Sequence, residues 1–264
     1  MRHLSIPALL IAGALSACAP TYDVGAPGTV AMRPAVVPGE PRTEADFARI
    51  SARIEPVAEG FCRESAGDVP PGFCDFSLVL DEDPKMPPNA YQTRTESGRP
   101  VVVVSRSLLA QMLSDDEIAF VLSHEAAHQI ANHLSKQQQS QVMGALILGG
   151  LASASAGASG VSDERLRQVM DLGAFVGGRA YSQSYELEAD WVGAFIAERA
   201  GFDPERGAEV FGRGALAGSG GPVLLSSHPA SPQRQATVAA AAEEIRRQRA
   251  AGLVPRPKEG DRVF

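Results

Sequence analysis

The chain has 264 residues, 44% of them hydrophobic and 21% charged, with a formal net charge of −7. That is enough chain for a sizeable core, with too few charges for a disordered protein and no excess of positive charge to neutralise nucleic-acid phosphates, so no nucleic-acid partner is expected. Three cysteines are too few for a disulfide-built scaffold, and their odd number, like the five histidines, calls for a specific account.

At the N-terminus Arg2 and His3 precede an apolar stretch from Leu4 to Leu15. It is too short to cross a bilayer and is built like the core of an export signal, read here as residues 1–17. It ends in Leu15-Ser16-Ala17-Cys18, which resembles the bacterial lipobox and implies lipidation of Cys18. Ala19 follows, not the aspartate of an inner-membrane retention signal, so the resemblance points to the periplasmic side of the outer membrane. Residues 18–43 carry five prolines (Pro20, Pro27, Pro34, Pro38 and Pro41) and read as a lipid-anchored tether. Cys62 and Cys74 are expected to form one disulfide in an oxidising compartment. A metal-binding cysteine pair is the alternative, without a second pair or a nearby histidine to support it.

Phe47, Ile50, Ile54, Val57 and Phe61 recur at helical spacing behind Thr43, a cap candidate, and Pro56 should kink or interrupt that helix. Strands are expected at Asp75–Leu80 and Val101–Val104, with a further edge strand at Asn89–Thr93. Ser114-Asp115-Asp116-Glu117 is a capping box opening a helix to about Leu134. The Gly- and Ala-rich stretch 142–161 reads as a close-packed helix or a flexible loop rather than a membrane-inserted segment, because its Gly and Ser residues lower the transfer energy. A helix follows from about Asp163 to Glu198, broken near Gly177-Gly178. Asp203-Pro204 and Ser231-Pro232 each open another, the last running to about Ala250.

Within the capped helix stands His124-Glu125-Ala126-Ala127-His128. Residues four apart share a helix face, so both imidazoles can reach one metal ion, while Glu125 can contact a water on that ion. A catalytic zinc site needs a third protein ligand. Ala131 and Leu134 stand where a metzincin would carry its glycine and histidine, which excludes that class, and His133 reads as a helix-end residue. Glu186-Leu187-Glu188-Ala189-Asp190 supplies a downstream carboxylate pair four apart: Glu186 as ligand, Asp190 as hydrogen-bond acceptor for a ligand imidazole. Glu188 reads as solvated.

These motifs, with Asn89-Ala90, Ser105 to Leu109, Gly193, Ala200-Gly201-Phe202-Asp203-Pro204, Ser227-His228-Pro229 and Arg234, resemble the gluzincin peptidases of family M forty-eight, the HtpX-like and Oma-like group. The resemblance implies an α+β fold, a mainly helical zincin-type domain with a small β-sheet, over residues 44–250, leaving 251–264 as a loose tail. It implies one zinc ion per chain held by His124, His128 and Glu186, with Glu125 as the catalytic glutamate. It departs from the family pattern at Gln183, where an arginine usually precedes the ligand glutamate. It places His228 near the site in one of two roles, as an oxyanion donor or as a fourth zinc ligand that holds the enzyme latent. Arg234 would pair with a nearby carboxylate or with substrate; Tyr181 and Tyr185 are further oxyanion candidates.

The expected activity is a zinc metalloendopeptidase acting on unfolded or extended polypeptides, in quality control of cell-envelope proteins, with the envelope assembly machinery as a further partner. A latent or weakly active lipid-anchored chaperone or scaffold is the rival from another class. A zinc hydrolase of cell-wall peptides is a third reading.

Overall fold

The structure is a computed structural model and describes residues 22–26, 28, 41–65, 69–156, 160–180, 182–211, 228 and 232–258. The export signal 1–17, Cys18, Tyr181 and Ser231 lie outside the described residues. The chain divides into two compact units, one built from 22–131 and 186–258, the other from 132–185. The architecture is mainly helical with a small sheet, the α+β class expected.

In the first unit, helix α1 (Glu44–Ser65) buries Phe47, Ile50, Ile54, Ala58 and Phe61 on one stripe. Its N-terminus is closed by reciprocal bonds: the Thr43 hydroxyl accepts from the Asp46 N–H, and the Asp46 carboxylate accepts from the Thr43 N–H. Pro56 does not interrupt the helix as expected. It lies on the exposed side, and so does Ala52, whose carbonyl loses its partner and is left to water. Cys62 and Cys74 are joined, tying the end of α1 to the approach of the first strand.

Strands β1 (Ser77–Leu80), β2 (Ala90–Arg94) and β3 (Pro100–Val104) form a sheet in the order β1-β3-β2. β1 runs parallel to β3 and β2 antiparallel to it, with Ala90 opposite Val104. The β-branched run of β3 is thus central, and β2 takes the edge position read from its flanking turns. A short helix, α2 (Arg106–Leu109), follows under a Ser105 cap.

Helix α3 (Asp115–Ile130) opens at Ser114, whose hydroxyl accepts from the Glu117 N–H, while Glu117 reaches back to the Leu113 N–H. From Glu117 to Ile130 every residue is buried, so α3 is the central element. It stops short of Leu134 because Asn132 takes a left-handed conformation at φ 55, which asparagine tolerates better than most residues.

Helix α4 (His133–Ser155) packs along α5 (Asp163–Ala180) in the second unit. The stretch 142–161 is therefore largely helix and close-packed: a Cβ on Gly144 or Gly173 would strike the other's carbonyl, and one on Gly177 would strike that of Ser140. Val142, Leu146, Ile147, Leu151, Leu172 and Phe175 remain exposed on this pair. Among the described residues no helix is long and apolar enough to cross a membrane. Helix α5 runs through Gly177-Gly178 without the break expected there, and α6 spans Ser182–Arg199.

From Glu186 onward α6 belongs to the first unit, where it meets α3 backbone to backbone: a Cβ on Gly193 would stand 3.1 Å from both Cα and N of His124. Helix α7 (Pro204–Gly207) is capped by Asp203, which accepts from the N–H groups of Glu205 and Arg206. Helix α8 (Pro232–Ala250) completes the unit.

Two expectations about the chain ends change. Residues 22–26 and 28, within the tether expected at 18–43, belong to the first unit: Tyr22 is buried in its core and its N–H donates to Glu188 at 2.7 Å. Residues 251–258, assigned to a loose tail, are fastened by bonds from Arg199 to the Pro255 carbonyl and between Gln248 and Arg256.

Candidate metal centre

Three elements of the first unit converge on one point. Helix α3 brings His124 and His128, α6 brings Glu186, and His228 arrives from the segment ahead of α8. The helical period puts the two imidazoles one turn apart on one face, and their Nε2 atoms stand 3.0 Å from each other. Glu186 Oε2 lies 3.4 Å from His124 Nε2, and its Oε1 lies 3.5 Å from His128 Nε2. His228 Nδ1 is 2.8 Å from Glu186 Oε1 and 3.4 Å from His124 Nε2. One ligand atom from each of these four residues lies within 4.8 Å of all the others.

This donor set fits a divalent ion. Ligand atoms about 2.1 Å from a tetrahedral zinc stand about 3.4 Å apart, close to several of the separations found here. The tautomer fits as well: Asp190 Oδ1 lies 3.0 Å from His124 Nδ1, which leaves His124 Nε2 facing the cluster.

A salt-bridged frame surrounds the donors. Arg234 on α8 donates from Nε to Asp190 Oδ2 at 2.7 Å and from Nη2 to Asp190 Oδ1 at 2.6 Å. Its Nη1 reaches Glu186 Oε2 at 3.2 Å and the His228 carbonyl at 3.1 Å, and its Cζ lies 3.8 Å above the Phe211 ring. Gln183 stands where the family pattern has arginine; the cation that touches Glu186 is Arg234.

The charges respond to this arrangement. Burial alone would push the His124 imidazolium to lower pKa, but the contacts with Asp190 and Glu186 outweigh it and hold it up at about 9. Burial likewise opposes ionisation of Glu186, yet His128 and His228 hold its carboxyl well below the usual range. The same two carboxylates that raise the His124 pKa would attract a divalent cation.

Glu125 is set apart from the donors. Its carboxylate is buried, and neither oxygen has a hydrogen-bond partner among the described residues. His228 Nε2 stands 3.4 Å from Oε1. A buried carboxylate without a hydrogen bond is costly, and one facing a cluster of metal-ligand side chains has a reason to persist.

Other residues fall elsewhere. Glu188 is not solvated as expected but fully buried, accepting the Tyr22 N–H. The two-residue step from Glu186 does turn it off the ligand face. From Glu188 to Ala197 every residue of α6 is buried, though. Tyr185 stacks on His133 with ring centroids 4.5 Å apart, in the second unit. That contact accounts for the histidine to which the motif reading gave no role.

A histidine pair one turn apart on a buried helix, a glutamate from a second helix, and a buried glutamate beside the first histidine together define the gluzincin class of metallopeptidases. Residues 44–242 match Peptidase family M48, and the chain belongs to that family. It is 34% identical over 166 residues to the mitochondrial metalloendopeptidase OMA1 of Saccharomyces cerevisiae, covering 60% of this chain and 45% of that protein. It is 32% identical over 163 residues to the OMA1 of Schizosaccharomyces pombe, covering 60% and 44%. It is 32% identical over 114 residues to the beta-barrel assembly-enhancing protease of Yersinia pestis, covering 39% and 22%. The chain spans less than half the length of each of these relatives.

Proposed function

We propose that the protein is a zinc metalloendopeptidase that hydrolyses peptide bonds in unfolded or misassembled proteins of a bacterial cell envelope. The observation that carries the reading is the convergence of His124, His128 and Glu186 beside the buried carboxylate of Glu125, which has no hydrogen bond among the described residues. In this reading those three residues hold the ion. When bound, zinc supplies Lewis acidity, polarising the scissile carbonyl and acidifying water. Glu125 takes the proton of the attacking water and delivers it to the leaving amine. Asp190 fixes the His124 tautomer, and Arg234 fixes Asp190.

Among the described residues no strand pairs with the outer edge of β2, so an extended chain can add there, giving affinity with little side-chain choice. That suits substrates recognised by their lack of structure. The resemblance of the N-terminus to a lipobox supports a lipid anchor at Cys18. The similarity to a beta-barrel assembly-enhancing protease supports a periplasmic place near the outer membrane and its assembly machinery.

A second reading is favoured by one specific contact. His228 sits among the three ligands with Nδ1 on Glu186 and Nε2 toward Glu125, from where it would supply a fourth ligand and close the site. The enzyme would then be latent until that segment moves.

The test is metal analysis of the purified protein, followed by proteolysis of an unfolded substrate by wild type and Glu125→Gln. The variant should keep its zinc and lose proteolysis. Full proteolysis by Glu125→Gln would overturn the assignment.

A further inference from the structure

The N-terminal segment does not hang free. The Tyr22 N–H donates to Glu188 at 2.7 Å, the Asp23 N–H to the Lys258 carbonyl at 3.0 Å, and the Gly28 N–H to the Ala236 carbonyl at 2.9 Å. Both glycines of this strap are needed for its close approach. A Cβ on Gly25 would stand 2.6 Å from the Trp191 ring, and one on Gly28 would stand 2.7 Å from the Ala240 backbone.

Cys18 is four residues ahead of Tyr22, a span of at most about 14 Å. If Cys18 carries the anchor, the bilayer therefore lies close to the point where the strap meets the peptidase unit. At that point the strap pairs with residue 258, the end of the fastened segment 251–258. Leu253 and Val254 of that segment are 60% and 64% exposed. They are presented rigidly. Gly252 turns at φ 74, the Leu253 N–H donates to the Gln248 carbonyl, and Arg199 and Gln248 hold Pro255 and Arg256.

Cations flank this apolar pair. The side chains of Arg247, Arg249 and Lys258 are 75%, 59% and 80% exposed. Each has a carboxylate partner, Glu244, Glu198 and Asp23 respectively. The Lys258–Asp23 pair, exposed on both sides, contributes under about 1 kcal/mol, so Lys258 can turn to phosphate instead. Two exposed aliphatic side chains with Arg and Lys on either side in sequence are suited to the boundary between lipid headgroups and acyl chains.

We propose that the turn at Leu253-Val254 rests in the headgroup region of a bilayer containing anionic phospholipid, and that the strap 22–28 holds it there, docking the peptidase unit on the membrane in a fixed orientation. This rests on the reading of Cys18 as the anchor.

The test uses the full-length protein, acylated in the cell and reconstituted into vesicles of phosphatidylethanolamine with phosphatidylglycerol. A polarity-sensitive dye is placed at Leu253→Cys, and in a control at the exposed Lys85→Cys. The dye at position 253 should shift to the blue and lose most of its emission to lipid-borne quenchers, and the control should do neither. A flexible insertion of about ten residues between Ala19 and Pro20 should weaken the quenching at 253. A dye at 253 no more quenched than the control, in protein whose mass shows the acyl group, overturns the docking and leaves the anchor standing. A mass without the acyl group removes the anchor and the docking with it. Proteolytic activity is scored separately, so neither outcome is confused with failure of the peptidase assignment.

Discussion

Arg234 grips Asp190 through two parallel hydrogen bonds of 2.7 and 2.6 Å, and both side chains are almost wholly buried. Asp190 in turn meets His124 Nδ1, so a guanidinium on α8 orients a histidine on α3 through a carboxylate on α6. Asp190→Asn keeps the shape and removes the charge that favours the His124 tautomer. Zinc affinity should fall by about 10–100-fold, read by competition with a chromophoric chelator, while the far-ultraviolet circular dichroism stays the same. Unchanged affinity would mean that the frame is structural only.

His228 separates gating from catalysis. If it closes the site as a fourth ligand, His228→Ala should cleave unfolded substrate faster than wild type. If it donates to the oxyanion, the same variant should lose about 10²–10³-fold in kcat. Equal inactivity of both proteins, each shown to contain zinc, would favour the scaffold reading.

The crossing of α6 over α3 depends on Gly193. Gly193→Ala places a methyl group 3.1 Å from the His124 backbone, and both helices are buried there. The expected cost is about 1–3 kcal/mol in urea unfolding, together with weaker zinc binding as His124 is displaced from Glu186. Gly60→Ala in α1, where a Cβ meets nothing within 4 Å, should instead stabilise by about 0.5–1 kcal/mol.

The Cys62–Cys74 bridge closes a loop of sequence separation 12. Reduction should lower unfolding stability by about 3 kcal/mol, measured in urea with and without dithiothreitol. No change on reduction would mean that the packing of Phe61 and Phe76 already holds this corner.

The cap of α1 carries a pH signature. Bonds from the Thr43 N–H, Arg49 and the Thr43 hydroxyl hold the Asp46 carboxyl down at about 2. A carboxyl depressed in the folded state contributes stability above its ordinary value near 4. The contribution fades as pH falls from there toward 2. Asp46→Asn should therefore melt slightly below wild type at pH 6, and the difference should shrink toward pH 2. A difference independent of pH would show that the ionised carboxylate has no part in the cap.

Sequence by itself determined what is local. The spacing of His124 and His128 follows from 3.6 residues per turn, and Glu125 is displaced from that face by the same period. The caps at Thr43, Ser114 and Asp203 are contacts over two or three residues, and each formed as its residue types dictate. The alternation of turns and β-branched residues put β2 at the edge. Where local signals compete, the local sequence does not decide: Pro56 is accommodated because Ala52 faces water, and Asn132 turns the chain in a sequence that could have stayed helical.

Tertiary structure alone decided the long-range choices. Nothing near Arg234 in sequence says that it holds Asp190 and touches Glu186 rather than meeting a substrate. Glu188 looks like any solvated helix charge until α6 is seen to be enclosed. Its partner, the Tyr22 N–H, is 166 residues away in a segment whose prolines suggested a free tether. The physical reason is common to all three. A charge is tolerated in a core only when a specific partner meets it there, and which partner arrives depends on how whole helices pack, not on the few residues to either side.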